Sequence, residues 1–150
     1  MKIIIDTREQ KPLSFTGHKT VRRKLDEGDY NIEELEDKIV IERKSLPDLY
    51  QSITSDHERF KREILRAKEK NKIFYIFIEG TLEEFYSKSW SDRPLKTKPE
   101  TLKKIIKTME ERHKIVIIEC LTREEMSYLI IQTMDREKTN EVQQNGKRNN

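Results

Sequence analysis

The sequence predicts an α/β domain in which helices cover both faces of a mixed central sheet. Three features indicate this class. The apolar run at 73–78, Ile-Phe-Tyr-Ile-Phe-Ile, lacks polar alternation, which is typical of a strand buried on both faces. The C-terminal half alternates amphipathic helical segments with such runs. The N-terminal half holds several short strands separated by tight turns, which permits antiparallel neighbours. Together these features predict a three-layer α/β/α domain.

The N-terminal half contains four predicted strands, at residues 2–5, 20–24, 30–33 and 39–44. The first ends in polar residues from Asp6 onward, as expected for a buried strand that presents polar groups at its end. Gly28, just before the third strand, allows a tight turn or a close approach of the backbone. Pro47 is suited to the first turn of a short helix that ends near Ser52.

The C-terminal half begins with Ser55-x-x-Glu58, the spacing of a capping box, and predicts a helix to about Lys70. Further segments follow in order: a strand at 73–78, a short amphipathic turn at 82–85, a polar loop at 87–98, a helix at 99–113, a buried strand at 115–119 and a helix at 122–135. Residues 136–150 are rich in Lys, Asn, Gln and Glu without apolar periodicity, which predicts a disordered tail. The folded domain is thus expected to span residues 1–135.

Composition excludes several classes of function. The 31 basic residues nearly balance the 28 acidic ones, so any nucleic-acid binding must depend on local charge. Cys120 is the sole cysteine, which rules out disulfides and cysteine zinc sites and leaves oxygen ligands for a metal such as magnesium, calcium or manganese. No apolar run approaches the ~20 residues of a membrane span. The acid at Asp6 argues against a signal peptide, so we expect an intracellular protein in the cytoplasm or at the nucleoid, not a secreted one.

Acidic side chains stand at the ends of predicted strands. Glu42 and Lys44 lie two residues apart and therefore on one face of a strand, and Asp29 precedes the neighbouring strand. Such carboxylates can converge on a divalent cation, which would polarise a phosphoryl oxygen and acidify water, as phosphodiester hydrolysis requires. Two further acids lie near strand ends: Asp6 directly follows the first predicted strand, and Asp48 follows the fourth within four residues. The alternative is a surface strand pair with ordinary salt bridges.

Two linked motifs carry a resemblance to a known family. Gly28-Asp29-Tyr30, followed by the run from Glu42 to Asp48 (Glu-Arg-Lys-Ser-Leu-Pro-Asp), resembles the Gly-Asp…Glu-Arg-Lys-x-x-x-Asp signature of the XPF-type (xeroderma pigmentosum group F) structure-specific endonucleases. The segment 4–9, Ile-Ile-Asp-Thr-Arg-Glu, is similar to the opening of the same nuclease domain. The resemblance implies a restriction-endonuclease-like fold. It covers the nuclease domain and does not include a helix-hairpin-helix pattern.

The resemblance also implies roles for the motif residues. Asp29 and Glu42 would be the chief ligands of Mg²⁺ or Mn²⁺, and Asp6 would be a further ligand, direct or through water. Lys44 would position the attacking water and contact the scissile phosphate.

Two motif residues keep alternative roles. Arg43 belongs to the implied catalytic set, but as a strand neighbour its side chain should point away from Glu42 and Lys44. Its guanidinium could equally have a structural role and pair with an acidic side chain such as Glu9 or Asp48. Asp48 would bind metal or only stabilise the N-terminus of a helix.

DNA contacts are expected from five residues. Arg59 and Arg62 lie near the start of the basic helix, and Arg8 belongs to the first motif. Trp90, in a basic loop, could stack on an unpaired base, although such a residue more often closes the edge of a core. Tyr30 could touch DNA or belong to the core.

The function implied is cleavage of branched, flapped or otherwise structured DNA in repair, recombination or replication. One alternative is a catalytically silent DNA-binding or scaffolding relative, which the complete set of motif acids and Lys44 disfavours. Another is a nuclease acting on replication intermediates of a mobile element. The apolar residues of the last two helices predict a homodimer through these helices: Ile105, Ile106, Met109, Met126, Leu129, Ile130, Ile131 and Met134. A helicase or DNA-binding partner is also possible.

Overall fold

A computed structural model describes residues 1–148. Its strands are β1 (Lys2–Ile5), β2 (Lys19–Arg22), β3 (Tyr30–Asn31), β4 (Ile39–Ser45), β5 (Ile73–Glu79) and β6 (Val116–Cys120). Its α-helices are α1 (Leu46–Ile53), α2 (His57–Glu69), α3 (Leu82–Ser87), α4 (Pro99–Glu111) and α5 (Arg123–Arg148). A single 3-10 turn at Glu33–Leu35 precedes β4.

The strands form one mixed sheet in the order β2-β1-β3-β4-β5-β6. β3 is antiparallel to both of its neighbours, β1 and β4. The β1–β2, β4–β5 and β5–β6 pairs are parallel. Tyr30 of the short β3 pairs with Ile5 at the end of β1 and with Ile41 in β4. Asp6, Asp29 and Glu42 each adjoin one of these three residues in the chain, so these acids of the two motifs are brought close together. The predicted mixed sheet is confirmed.

The core has two apolar layers, one on each face of the sheet. Residues of β5 alternate between them: Tyr75 and Phe77 pack with α5, whereas Phe74 and Ile76 pack with α1, α2 and α4. All four are at most 4% exposed, so the prediction that this strand is buried on both faces is confirmed. The helices on the two faces make the predicted three layers.

Two local predictions are wrong. β6 is only half-buried along much of its length, because it lies at the edge of the sheet with β5 as its one paired strand among the described residues. The capping box does not form: α2 begins at His57, and the Asp56 side chain makes no cap hydrogen bond. Gln51 holds this junction instead, since its side-chain amide donates to Asp56 Oδ2 and its carbonyl accepts from the Asp56 N–H.

The last helix corrects the prediction of a disordered tail. α5 continues through Arg148, so residues 136–148 are helical, and residues 149–150 lie outside the described part. Glu, Lys, Gln and Arg favour helix, and this segment has no proline to interrupt it. Glu137 also accepts a 2.7 Å hydrogen bond from the Tyr75 hydroxyl, which attaches the extension to the sheet. No described helix is both long and apolar enough to cross a membrane.

Most of the apolar residues on which the dimer prediction depends are buried in the core of this chain. Five of the eight are buried in this chain: Ile106, Met109, Met126, Ile130 and Met134. Ile105, Leu129 and Ile131 are half-buried. The excess of apolar surface inferred from the sequence is therefore smaller than predicted, because each helix face already packs on the sheet.

Candidate active site

Asp29 is held in place by the backbone around it. Gly28 has a φ of +82°, and a Cβ there would lie 2.7 Å from the Ile41 carbonyl oxygen, so the turn requires glycine. The Asp29 N–H donates to that same carbonyl at 2.7 Å, and its own carbonyl accepts from the Asp6 N–H at 2.8 Å. Its side chain accepts from the Arg43 N–H, 2.7 Å from Oδ2. These bonds place the carboxylate beside β4.

Glu42 and Lys44 lie on the same face of β4, as the strand period requires. The Lys44 Nζ is 3.7 Å from Glu42 Oε1 and 5.1 Å from the centroid of the Phe60 ring. Glu42 is 9% exposed. Lys44 is thus held between a buried carboxylate and the face of an aromatic ring.

The two carboxylates repel each other in a poorly solvated position. Burial raises the pKa of Asp29 to about 7, although the hydrogen bond from the Arg43 N–H and the charge of Lys44 oppose the shift. Burial also raises the pKa of Glu42 well above its usual value, and the charges of Asp29 and Glu63 add to the rise. The site therefore favours a compensating cation.

Glu63 is a site residue that the sequence analysis missed. Its carboxyl group, on α2, lies within hydrogen-bonding reach of Glu42. The sequence suggests a solvated glutamate among basic residues. However, Glu63 comes three residues after Phe60 and directly before Ile64, both on the buried face of α2, so helical spacing places it at the border of that face.

The donor set fits a magnesium-type ion with few protein ligands. Among residues 1–148, no group of three or more His, Cys, Asp or Glu side chains is arranged to hold a metal. Mg²⁺ is commonly bound by one or two carboxylates together with waters and substrate phosphates. Asp29 and Glu42 supply two such carboxylates. Burial raises the pKa of both, so a bound cation would stabilise their charged forms.

Asp6 is fully engaged by protein donors. Oδ1 accepts from the N–H and Nε of Arg8, and Oδ2 accepts from Nη2 of Arg8 and the N–H of Leu25, at 2.7–3.1 Å. Burial opposes ionisation, but these hydrogen bonds lower the pKa of Asp6 below its usual value. In this arrangement Asp6 orients Arg8, whose side chain is 62% exposed beside the site.

Arg43 points to the opposite face of β4. Its Nε and Nη2 donate to the two carboxylate oxygens of Glu9, and its Nη1 donates to Glu79 at 2.6 Å. The Tyr30 hydroxyl donates to the same Glu9. Arg123, at the start of α5, also pairs with Glu79. The side chain of Arg43 thus ties the N-terminal loop to the sheet and does not reach the Asp29–Glu42 face.

Three further predicted residues do not join the cluster. Asp48 is exposed in the first turn of α1, where its N–H is capped by Ser45 Oγ. Tyr30 is completely buried and belongs to the core, which is the alternative to a DNA contact considered for it. Trp90 stacks on Phe85, with ring centroids 6.2 Å apart, and its indole N–H donates to the Phe85 carbonyl. Trp90 therefore closes the edge of the core, which is the alternative to base stacking considered for this residue.

Three of the basic residues expected to contact DNA are exposed. Arg59 and Arg62 are exposed on α2. Arg59 is one helical turn before Glu63 and hence on the same face as this site residue. The hydrogen bond to Asp6 raises the pKa of Arg8, and the charges of Asp29 and Glu63, which lie near its exposed guanidinium, add to the rise. Arg8 is thus an exposed positive side chain near the Asp29 carboxylate, and Arg59 lies on the face of α2 that carries Glu63.

The sequence as a whole matches the family model described as the ERCC4 domain over residues 5–133. The chain belongs to the ERCC4 domain family. The predicted resemblance to XPF-type nuclease domains is confirmed, and so is the restriction-endonuclease-like α/β fold.

Two solved structures have the same fold as this ERCC4 domain. XPF from Aeropyrum pernix matches with a TM-score of 0.69 and 20% identity, covering 96% of this chain and 69% of that chain. XPF from Aeropyrum pernix in complex with DNA matches with a TM-score of 0.67 and 19% identity, covering 93% of this chain and 65% of that one. The chain thus spans about two thirds of these proteins. Among curated proteins, none matches this chain significantly.

Proposed function

We propose that this ERCC4 domain is an endonuclease that uses Mg²⁺ or Mn²⁺ to hydrolyse phosphodiester bonds in structured DNA. Branched or flapped intermediates of repair, recombination or replication are the substrates we favour. The observation that carries the proposal is the pair of neighbouring buried carboxylates, Asp29 and Glu42, with Lys44 Nζ 3.7 Å from Glu42. A scaffold without catalysis would have no need to retain such a costly pair.

Each residue of the site has a distinct proposed task. Asp29 and Glu42 hold the divalent ion, which would polarise the phosphoryl oxygen and lower the pKa of water. Lys44, fixed against the Phe60 ring, orients the attacking water and neutralises charge on the phosphate. Asp6 keeps Arg8 in position, and Arg8 contacts a neighbouring phosphate. Arg43 acts as a positioning residue, since its N–H binds Asp29.

DNA is proposed to lie across the open side of the site. Arg59 and Arg62 on α2, together with Arg8, would contact its phosphates. One of the similar solved structures, XPF from Aeropyrum pernix, is a complex with DNA, which supports this class of ligand. Because the net charge is only +3, we expect the affinity for DNA to be low and to depend on a few local phosphate contacts.

Assembly remains part of the proposal. Leu121, which directly follows the edge strand β6, is 71% exposed, and Tyr128 in α5 is 59% exposed. These side chains offer an apolar surface through which two copies of the chain would pair. A helicase or DNA-binding partner would add DNA contacts to the weak local ones of this domain. The protein would act on DNA inside the cell.

Cleavage of a panel of labelled DNAs tests the proposed function. The panel contains duplex, flap, fork, splayed-arm and single-stranded DNA, each incubated with Mg²⁺, Mn²⁺ or a chelator. We expect cleavage of at least one branched substrate with either metal and none with the chelator. Binding of branched DNA without cleavage under any of these conditions would overturn the enzyme assignment and favour the silent DNA-binding alternative.

A further inference from the structure

A groove of about 500 Å³ lies between α4 and the α1–α2 pair. It contains neither Asp29, Glu42 nor Lys44 in its lining, and Phe60 is the residue that it shares with the carboxylate site. Its floor is apolar and is formed by Ile53, Phe60, Ile64, Ile105 and Met109. Four of these belong to the core and are at most 5% exposed, whereas Ile105 is half-buried. The volume is within the range of about 300–1,000 Å³ typical of binding pockets. The groove can therefore receive several apolar side chains.

The rim of the groove is positively charged. Lys61, Lys104 and Arg112 line it, and the part of the chain that the structure describes supplies no Asp or Glu to its lining. None of these three cations forms an ion pair within residues 1–148. The rim thus offers uncompensated positive charge next to an apolar floor.

The electrostatic environment of His113 supports this description. His113 also lines the groove. Burial lowers the pKa of its imidazole, and the charges of Arg112, Lys61 and Lys68 lower it further. Cations around the groove therefore repel an added positive charge, and an anionic ligand would relieve that repulsion.

Nucleic acid is a poorer fit for this groove than a peptide. Single-stranded DNA binds by stacking bases on exposed aromatic faces. Phe60 is the aromatic residue of the lining and is 5% exposed, with the ring of Phe74 packed edge-on against it and Lys44 Nζ near its face. Phosphate contacts alone would gain nothing from the apolar floor.

We propose that the groove between α1–α2 and α4 binds an acidic amphipathic helix of a partner protein. The apolar face of that helix would fill the floor, and its flanking carboxylates would meet Lys61, Lys104 and Arg112. Met109 has a flexible side chain that can adapt to such an apolar face. This interaction goes beyond the proposed nuclease activity and does not depend on it.

A designed peptide pair tests the chemistry of the occupant. The probe is a fluorescein-labelled helix of about four turns, made of Leu, Ala and Glu, with leucines at the i, i+3, i+4, i+7 spacing. Its control carries Lys in place of every Glu. Fluorescence anisotropy with the full chain should give a dissociation constant in the micromolar range for the acidic peptide, at least about tenfold tighter than for the basic one. Equal binding of the two peptides, or no binding of the acidic one, would overturn the proposal.

Charge-reversal variants test the location. Lys104→Glu, and separately Lys61→Glu, should weaken binding of the acidic peptide about tenfold. The matched control is Lys107→Glu, because Lys107 is exposed on the same helix outside the groove and only 4.0 Å from Glu111. The control should retain the affinity of the unmodified chain, and circular dichroism verifies that each variant is folded. An equal loss in the control, or no loss in either groove variant, contradicts the assignment. If Lys104→Glu instead weakens binding of fork DNA while peptide binding stays unchanged, the groove is a nucleic-acid surface and the proposal fails.

Discussion

The N–H of Arg43 donates to Oδ2 of Asp29 at 2.7 Å, while the guanidinium of Arg43 binds Glu9 on the other face of β4. The residue between Glu42 and Lys44 therefore fixes the neighbouring carboxylate through its backbone and is itself fixed by its side chain. These two contacts of Arg43 explain how β4 can present Glu42 and Lys44 to the site and still attach that site to the core.

The Arg43–Glu9 pair should contribute strongly to stability. Arg43→Ala leaves the carboxylate of Glu9, which is 5% exposed, without its principal partner. We expect the free energy of unfolding to fall by about 3 kcal/mol, because breaking a buried ion pair leaves an uncompensated charge. Urea denaturation measures the loss. Adding Glu9→Gln to Arg43→Ala should recover part of it, and strictly additive losses in this double-mutant cycle would show that the pair is not coupled.

Gly28 should be intolerant of any side chain. Gly28→Ala adds a Cβ 2.7 Å from the Ile41 carbonyl oxygen and 2.9 Å from Val40 Cγ1, in addition to the strain of a φ of +82°. The matched control is Gly17→Ala, since Gly17 has a φ of +85° but no atom within 4 Å of an added Cβ. We expect a loss of about 1 kcal/mol for the control and at least about 2 kcal/mol for Gly28→Ala in chemical denaturation. Equal losses at the two positions would mean that the close approach to β4 does not constrain the turn.

The carboxylate pair should make the metal-free protein less stable as pH rises. Burial raises the pKa of Asp29 in the folded chain from 3.8 to about 7, so the folded state retains a proton that the unfolded state releases. Stability from this group is complete below about pH 4 and is lost as pH rises toward 7. Asp29→Asn removes the effect and should stabilise the metal-free protein by about 1–2 kcal/mol near pH 7.5, with little difference near pH 3.5. Thermal unfolding across this range in the presence of a chelator measures it; a variant less stable than the unmodified chain at neutral pH contradicts the account.

Added Mg²⁺ should make the unmodified chain more stable than Asp29→Asn, the reverse of the order expected without metal. A cation that binds the folded chain alone raises its stability with concentration. The melting temperature of the unmodified chain should increase with added Mg²⁺ at neutral pH, whereas that of Asp29→Asn should stay nearly constant. Parallel increases in both proteins would show that the ion binds elsewhere.

The sequence predicted the parts of the fold that depend on local pattern. The unbroken apolar run from Ile73 to Ile78 was enough to predict a central strand. The Asp29 and Glu42-x-Lys44 spacing indicated that these three side chains converge, as they do in the structure, whereas the roles expected of them came from the resemblance to a family. The capping box at Ser55 failed because Gln51, from the preceding helix, binds Asp56 and decides where α2 begins. Such a tertiary contact is not visible in local spacing.

The residues that were missed depend on packing between elements. Glu63 reaches the site only because α2 crosses the face of β4, and helical spacing alone gives a solvated face as an equally good alternative. The hydrogen bond that attaches the helical extension to the sheet joins Tyr75 and Glu137, which are 62 positions apart. Asp6 has the residue type of a metal ligand, but its neighbours Arg8 and Leu25 occupy its oxygens.

Arg59 should contribute one phosphate contact to DNA binding. Neutralising one phosphate changes the slope of log affinity against log salt by about −0.9 on duplex DNA. Arg59→Ala should therefore make that slope less steep by about one and weaken binding to all sequences alike. Lys107→Ala, on the exposed face of α4, is the control. Anisotropy titrations at several salt concentrations measure the slope, and identical slopes for the two variants would place the DNA path away from α2.

Cleavage by a matched pair of variants tests the central claim most directly. Asp29→Asn keeps the shape of the site but removes one carboxylate charge, and Asp135→Asn makes the same change at an exposed position on α5. With Mg²⁺ and the best branched substrate, the unmodified chain and Asp135→Asn should cleave at similar single-turnover rates. Asp29→Asn should lose at least about two orders of magnitude in rate while its affinity for DNA is maintained. Equal cleavage by Asp29→Asn and Asp135→Asn would contradict the assignment of the site.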